Sequence, residues 1–257
     1  MALPRLPKIR RIRLDKPLPF VKLLPNLVTL VGLAIGMSSI RFALDSRWEA
    51  AVICILVATF MDALDGKIAR MLNATSIFGA ELDSLCDFAN FGIAPAFMIY
   101  LWSFQKVEYK LFAWAAVLLF IICMSIRLAR FNTTTPEDDP RVKNFFIGVP
   151  APVGAVLMLM PIMIDFDLST TFGFNIRSHT LVITLYQIVV ALLLPSRLPT
   201  FSLKNIHVKP EYIWISLLCS GMFIVSLMVY TWYIVPLLGI IYLSLIPLSI
   251  KLAKKVN

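Results

Sequence analysis

Eight long apolar runs divide the chain, each closed by charged or turn-forming residues. They predict helices near 24–43, 49–71, 80–104, 110–130, 146–165, 179–197, 212–230 and 234–251. At a rise of ~1.5 Å per residue, each covers most or all of a hydrocarbon core ~30 Å thick. The break between the last two rests on Thr231, Trp232 and Tyr233, with Pro236 following. The pattern predicts an all-α fold, a polytopic membrane helix bundle of about eight transmembrane helices. A basic juxtamembrane segment, residues 1–22, precedes one integral membrane domain at 23–257. No polar stretch is long enough for a second domain, and there is no internal repeat or low-complexity tract.

Composition agrees with a membrane protein. Hydrophobic residues make up 59% of the 257, charged residues 15%, and mean hydropathy is +0.83, which leaves too little polar surface for a soluble domain of this size. The formal net charge of +9 would suggest a nucleic-acid partner in a soluble protein. Here the basic residues sit at the ends of apolar runs, so anionic lipid headgroups are the expected partner and no nucleic acid is. They also suit a phosphorylated substrate. Arg5, Lys8, Arg10, Arg11, Arg13, Lys16 and Lys22 suit a segment lying on an anionic membrane surface. That segment does not read as a cleaved secretory signal, because the basic stretch is long and a full span follows.

The loop charges predict orientation. With the N-terminus in the cytoplasm, four further basic groups fall on that side: Lys67 with Arg70; Arg127, Arg130, Arg141 and Lys143; Arg197, Lys204 and Lys209; and Lys251, Lys254 and Lys255. The opposite side keeps Arg41, Arg47, Lys106, Lys110 and Arg177. Both termini are then cytoplasmic, and the expected location is the cell (inner) membrane. Cys54, Cys86, Cys123 and Cys219 form no CxxC pair and read as apolar packing residues. Gly32 and Gly36 form a GxxxG pattern, read as internal helix packing ahead of a dimer seam. His179 and His207 read as interface residues.

The informative chemistry lies between Met61 and Asp87. Asp62 and Asp65 are three residues apart, and Asp83 and Asp87 four, so on helices each pair shares a face. A turn through Asn73–Ser76 makes the two helices antiparallel and lets the four carboxylates converge. An Asp at mid-membrane costs ~2.5–3.5 kcal/mol on insertion scales, and four together also repel. Two divalent cations would neutralise them, and hard oxygen ligands suit magnesium or manganese. Gly66 and Gly79 remove side chains where a phosphate or a neighbouring backbone could approach, and Ala69 keeps the same face open. Arg70 suits pairing with a phosphate or snorkelling at the interface.

The segment reads Asp62-x2-Asp65-Gly66-x2-Ala69-Arg70-x8-Gly79-x3-Asp83-x3-Asp87. Every fixed position resembles the signature of the CDP-alcohol phosphotransferases, and Pro25-Asn26-Leu-Val-Thr29 looks like the family's first-helix element. The resemblance implies helices around a polar cavity open to the cytoplasm. It implies a two-metal site on Asp62, Asp65, Asp83 and Asp87, with Asp87 as general base. It assigns Asn26, Thr29, Asp62, Gly66, Ala69, Arg70 and Gly79 to the CDP-lipid, and it implies a homodimer.

Three further segments, Arg127-Leu-Ala-Arg130-Phe131-Asn132, Phe146-Ile-Gly148-Val-Pro150-Ala-Pro152 and Ser196–Lys204, look like the phosphatidylserine synthase branch of that family. The expectation is transfer of the phosphatidyl group from CDP-diacylglycerol to L-serine. Arg130, Asn132, Lys143 and Arg197 are the candidates for holding the serine. Two rivals stand beside this reading. One is the same chemistry with glycerol 3-phosphate or inositol phosphate as acceptor. The other is a transporter lined with carboxylates, for which the sequence lacks inverted-repeat symmetry.

Overall fold

The computed structural model describes residues 20–105, 109–133, 145–171, 173, 175–196, 198–201 and 210–256. The basic segment at 1–22 falls almost wholly outside them, as do Lys143, Arg197 and His207.

Eight helical rods run through the described residues. α1 (Leu24–Leu44) opens with Pro25 in its first turn, where the missing N–H costs nothing. A tight reversal with Ser46 at φ 57° leads to α2 (Trp48–Met71). The third rod, Ile77–Phe104, is composite. It contains α3 (Ile77–Asp87), a π-helical stretch at Phe88–Ile93, α4 (Ala94–Ile99) and a second π stretch at Tyr100–Phe104. Pro95 lacks an N–H and its ring opposes the carbonyl one turn back, which accounts for loss of regular α bonding beside the first π stretch. Then come α5 (Lys110–Thr133), α6 (Ala151–Thr171), α7 (Thr180–Leu193), α8 (Ile213–Val229) and α9 (Thr231–Val256).

Val21–Leu44, Ile77–Phe104, Lys110–Thr133 and Thr231–Ser249 are long and apolar enough to cross a bilayer, and three shorter apolar helices accompany them. α2 is equally long but carries Asp62, Asp65, Lys67 and Arg70 in its C-terminal half. The chain is an integral membrane protein. α6 is the central rod: Leu157, Met158, Leu159, Ile162 and Met163 are all fully buried. α6 packs against α2, α4, α7 and α9. By contrast no residue of α8 is buried, and its apolar side chains, Trp214 and Met228 among them, face outward as hydrocarbon contact requires.

Two span ends differ from the hydropathy pattern. The fifth run was expected from residue 146 and the sixth to reach 197, but α6 begins at Ala151 and α7 ends at Leu193. The intervening residues form a two-stranded antiparallel ribbon, β1 (Phe145–Ile147) with β2 (Pro199–Phe201). Gly148 turns the chain at φ +77° and its N–H donates to the Leu198 carbonyl at 2.9 Å. Pro150 and Pro195 then bar the helices from extending into the ribbon. The far end of the bundle is tied by Arg177, whose Nε donates to the Trp102 carbonyl while its guanidinium lies 5.8 Å from the Trp48 ring centre.

Candidate active site

α2 and α3 are antiparallel because the turn between them closes locally. The Ala74 N–H donates to the Ala69 carbonyl at 2.9 Å, and Asn73 takes the left-handed conformation at φ 47°. Ser76 caps α3, its hydroxyl accepting from the Gly79 N–H at 3.0 Å. This turn brings the acidic pairs face to face. One carboxylate oxygen each from Asp62, Asp83 and Asp87 lie within 4.8 Å of one another. Asp65 stands outside that trio but lines the same cavity, with Thr29, Gly32, Ala58, Cys86 and Asn90.

The site is rich in acceptors and poor in donors. The Asp62 and Asp87 carboxyls come within hydrogen-bonding reach of each other, which two ionised groups tolerate only with a cation or proton between them. Two unit charges 4.8 Å apart repel by roughly 3 kcal/mol at an effective dielectric of ~20. Asp65 is 5% exposed, and its Oδ2 finds no hydrogen-bond partner among the described residues. Converging hard oxygens with an unpaired buried acceptor fit a divalent cation that keeps open positions for phosphate oxygens.

The residues expected to hold the CDP-lipid divide by depth. Thr29 lines the acidic cavity and its hydroxyl donates to the Pro25 carbonyl at 3.1 Å. Asn26, Ala69, Arg70 and Gly79 lie outside the lining, about one helical turn nearer the α2–α3 loop than Thr29, Asp65 and Asp83, and Gly66 lies outside it directly after Asp65. Asn26 and Gly79 meet: a Cβ built on Gly79 would lie 3.0 Å from Asn26 Oδ1. A Cβ on Gly66 would meet nothing within 4 Å, so that face is open. Exposed Arg70 lies beside it, Nε donating to the Gly66 carbonyl at 3.1 Å.

Of the acceptor candidates, Lys143 and Arg197 lie outside the described residues. Arg130 donates from Nη1 to the Pro195 carbonyl at 2.6 Å and from Nη2 to the Ser196 carbonyl at 3.1 Å, so it staples the α7–β2 connection to α5. Asn132 donates to Ser84 Oγ at 2.9 Å, joining the end of α5 to the residue after Asp83. Two neighbours of the acids were given no place in the site by the sequence. Arg127 donates to the Val149 carbonyl at 2.5 Å, and its charge reaches Asp87 and Asp62. The available signal was its spacing, one turn before Arg130. Asn90 lines the cavity at 5% exposure, and the signal was an amide in an apolar run three residues past Asp87.

Carboxylates from two antiparallel helices, gathered inside a membrane bundle beside an open face at Gly66, form an acidic site that a divalent cation fits. The chain belongs to the CDP-alcohol phosphatidyltransferase family, whose model matches residues 22–194. It is 32% identical over 232 residues to the CDP-diacylglycerol–serine O-phosphatidyltransferase of Mycobacterium leprae (strain TN), covering 90% of this chain and 75% of that one. The enzyme of the same name from Helicobacter pylori strain J99 is 38% identical over 149 residues, 58% of this chain and 61% of that one. An archaetidylserine synthase of Methanothermobacter thermautotrophicus is 36% identical over 144 residues, covering 55% and 58%.

Proposed function

We propose that this chain transfers the phosphatidyl group of CDP-diacylglycerol to the hydroxyl of L-serine, giving phosphatidylserine and CMP. The observation that carries the reading is the convergence of Asp62, Asp83 and Asp87, with Asp65 in the same cavity, in a chain whose relatives are serine-accepting transferases. The serine oxygen forms a bond to the lipid phosphorus, the bond from that phosphorus to the CMP oxygen breaks, and the hydroxyl proton passes to Asp87. Divalent cations held by Asp62, Asp65, Asp83 and Asp87, magnesium or manganese, would supply charge neutralisation for the diphosphate and the departing CMP. Asn26, Thr29, Gly66, Ala69, Arg70 and Gly79 hold the nucleotide end, between the acids and the α2–α3 loop.

Serine needs cations for its carboxylate. Arg127, whose charge reaches Asp87 and Asp62, lies one turn before Arg130 on α5, and Asn132 joins the same helix end to α3. Arg130 acts by shaping, since two of its nitrogens are engaged with carbonyls. The active site faces the cytoplasm, both termini lie on that side, residues 1–22 rest on the anionic leaflet, and the functional unit is a homodimer. The test is to incubate membranes carrying the protein with CDP-diacylglycerol, magnesium and one alcohol at a time. CMP is expected with L-serine; release instead with glycerol 3-phosphate or inositol phosphate would overturn the assignment of the acceptor.

A further inference from the structure

The composite third rod changes its winding directly after Asp87, and the π stretch at Phe88–Ile93 points Asn90 into the bundle against α1. The Asn90 Nδ2 donates to the Gly32 carbonyl at 3.3 Å. Its carboxamide occupies the notch left by Gly36: a Cβ there would lie 2.2 Å from Oδ1 and 2.5 Å from Cγ, a collision no small shift relieves. Asn90 Oδ1 is buried and makes no hydrogen bond among the described residues, although the side chain lines the acidic cavity. One turn away on α1, a Cβ on Gly32 would lie 3.2 Å from the Cβ of Met61, the residue before Asp62. A single face of α1 therefore gauges two contacts at once. One sits next to Asp62 on α2, and the other sits three residues beyond Asp87 on the third rod.

We propose that Asn90, seated in the Gly36 notch and tied to the Gly32 carbonyl, is a positioning residue that sets the approach of Asp87 to Asp62 and thereby the affinity of the site for a divalent cation. The physical reason lies in the winding. A π turn is poorly held by its own hydrogen bonds, so without an external anchor it relaxes toward α geometry. That relaxation rotates residues on one side of the turn relative to the other, and Asp87 is the last residue before it. A buried amide with one fixed donor and a shape-matched notch supplies the anchor. The inference rests on the reading of the aspartates as a cation site.

The test measures Mn2+ binding by electron paramagnetic resonance on the full-length protein in detergent, together with kcat and KM for CDP-diacylglycerol. Asn90→Ala and Gly36→Ala are each expected to weaken Mn2+ binding by about tenfold or more, as loss of groups that orient metal ligands does. kcat should fall while the lipid KM moves less than about threefold, because Gly66, Ala69, Arg70 and Gly79 lie outside the cavity that Asn90 lines. Because both changes break one contact, the Gly36→Ala/Asn90→Ala double variant should bind Mn2+ no more weakly than the worse single variant. Asn90→Ser, which keeps a small polar group, is the second variant should Asn90→Ala fail to fold. Asp87→Asn separates the two readings. If it loses Mn2+ binding while Asn90→Ala and Asn90→Ser bind like wild type, the positioning role is overturned alone. If Asp87→Asn binds Mn2+ like wild type, the cation reading falls and the positioning role falls with it.

Discussion

At the scale of single residues, the four aspartates are asymmetric. Asp62, Asp83 and Asp87 gather oxygens within 4.8 Å, while Asp65 stands outside that trio with an unpaired buried oxygen. Asp87 is the carboxylate proposed to take the proton, and the charge of Arg127 reaches it. Asp87→Asn removes the base while leaving the volume nearly unchanged. It is expected to retain CDP-lipid binding and to lose turnover by roughly 10²–10⁴-fold. Single-turnover CMP release at saturating lipid checks this, and near-wild-type rates would sink the assignment. Removing divalent ions with a chelator should abolish turnover, and adding back magnesium or manganese should restore it. Activity that survives chelation would overturn the role given to the carboxylates. The acids were legible because their spacing is helical and their charge is anomalous in an apolar run. Asn90 and Arg127 were not, because their meaning lies in what they touch: the notch of Gly36 and the carbonyl of Val149.

At the scale of elements, the ribbon between β1 and β2 decides how α5, α6 and α7 meet beside the site. Gly148 is its pivot. Its φ is +77°, and an added Cβ would lie 2.7 Å from the Ser196 carbonyl oxygen and 3.2 Å from Arg130 Nη2. Gly148→Ala therefore combines left-handed strain with a backbone collision, and it should loosen the Arg130 staple. A loss of roughly 1–3 kcal/mol follows, read as a lower unfolding midpoint in detergent. Gly173 makes the control, because its φ is +65° but a Cβ there meets nothing within 4 Å among the described residues. Gly173→Ala should show only the conformational part, ~1 kcal/mol. Equal shifts for the two variants would show that the ribbon contact contributes nothing. The same segment marks where hydropathy stops being informative. Apolar runs announced the helices, since burial in lipid needs only composition and length. The run from 146 was read as helix because Phe145–Ile147 is as apolar as a span, and its strand pairing with Pro199–Phe201 is a contact between distant parts of the chain. The π stretch at Phe88–Ile93 was equally invisible, because its apolar residues fit either winding.

At the scale of the whole molecule, the remaining matter is which side of the membrane the site opens to. The acids lie near the end of the bundle that carries the α2–α3 turn, the C-terminus of α5 and the N-terminus of α6. Lys67, Arg70, Arg127 and Arg130 are at that end, and the predicted topology adds Arg141, Lys143, Arg197, Lys204, Lys209, Lys251, Lys254 and Lys255 to it. The other end has Arg41, Arg47, Lys110 and Arg177, offset by Asp45, Glu49 and Asp165. An excess of Lys and Arg on one side marks that side as cytoplasmic, and eight rods, an even number, agree with the proposed topology in which both termini share it. The chemistry asks for the same arrangement, since a CDP headgroup and free serine are water-soluble groups that must reach the acids without crossing the hydrocarbon. Thr75, exposed in the α2–α3 turn, and Ser178, exposed between α6 and α7, report the two faces. In a cysteine-free background on intact cells, Ser178→Cys should react with a membrane-impermeant maleimide, while Thr75→Cys should react only after permeabilisation. The reverse pattern would put the acids on the outer face, where the orientation argued from charge would be wrong and the nucleotide supply would have to be extracellular.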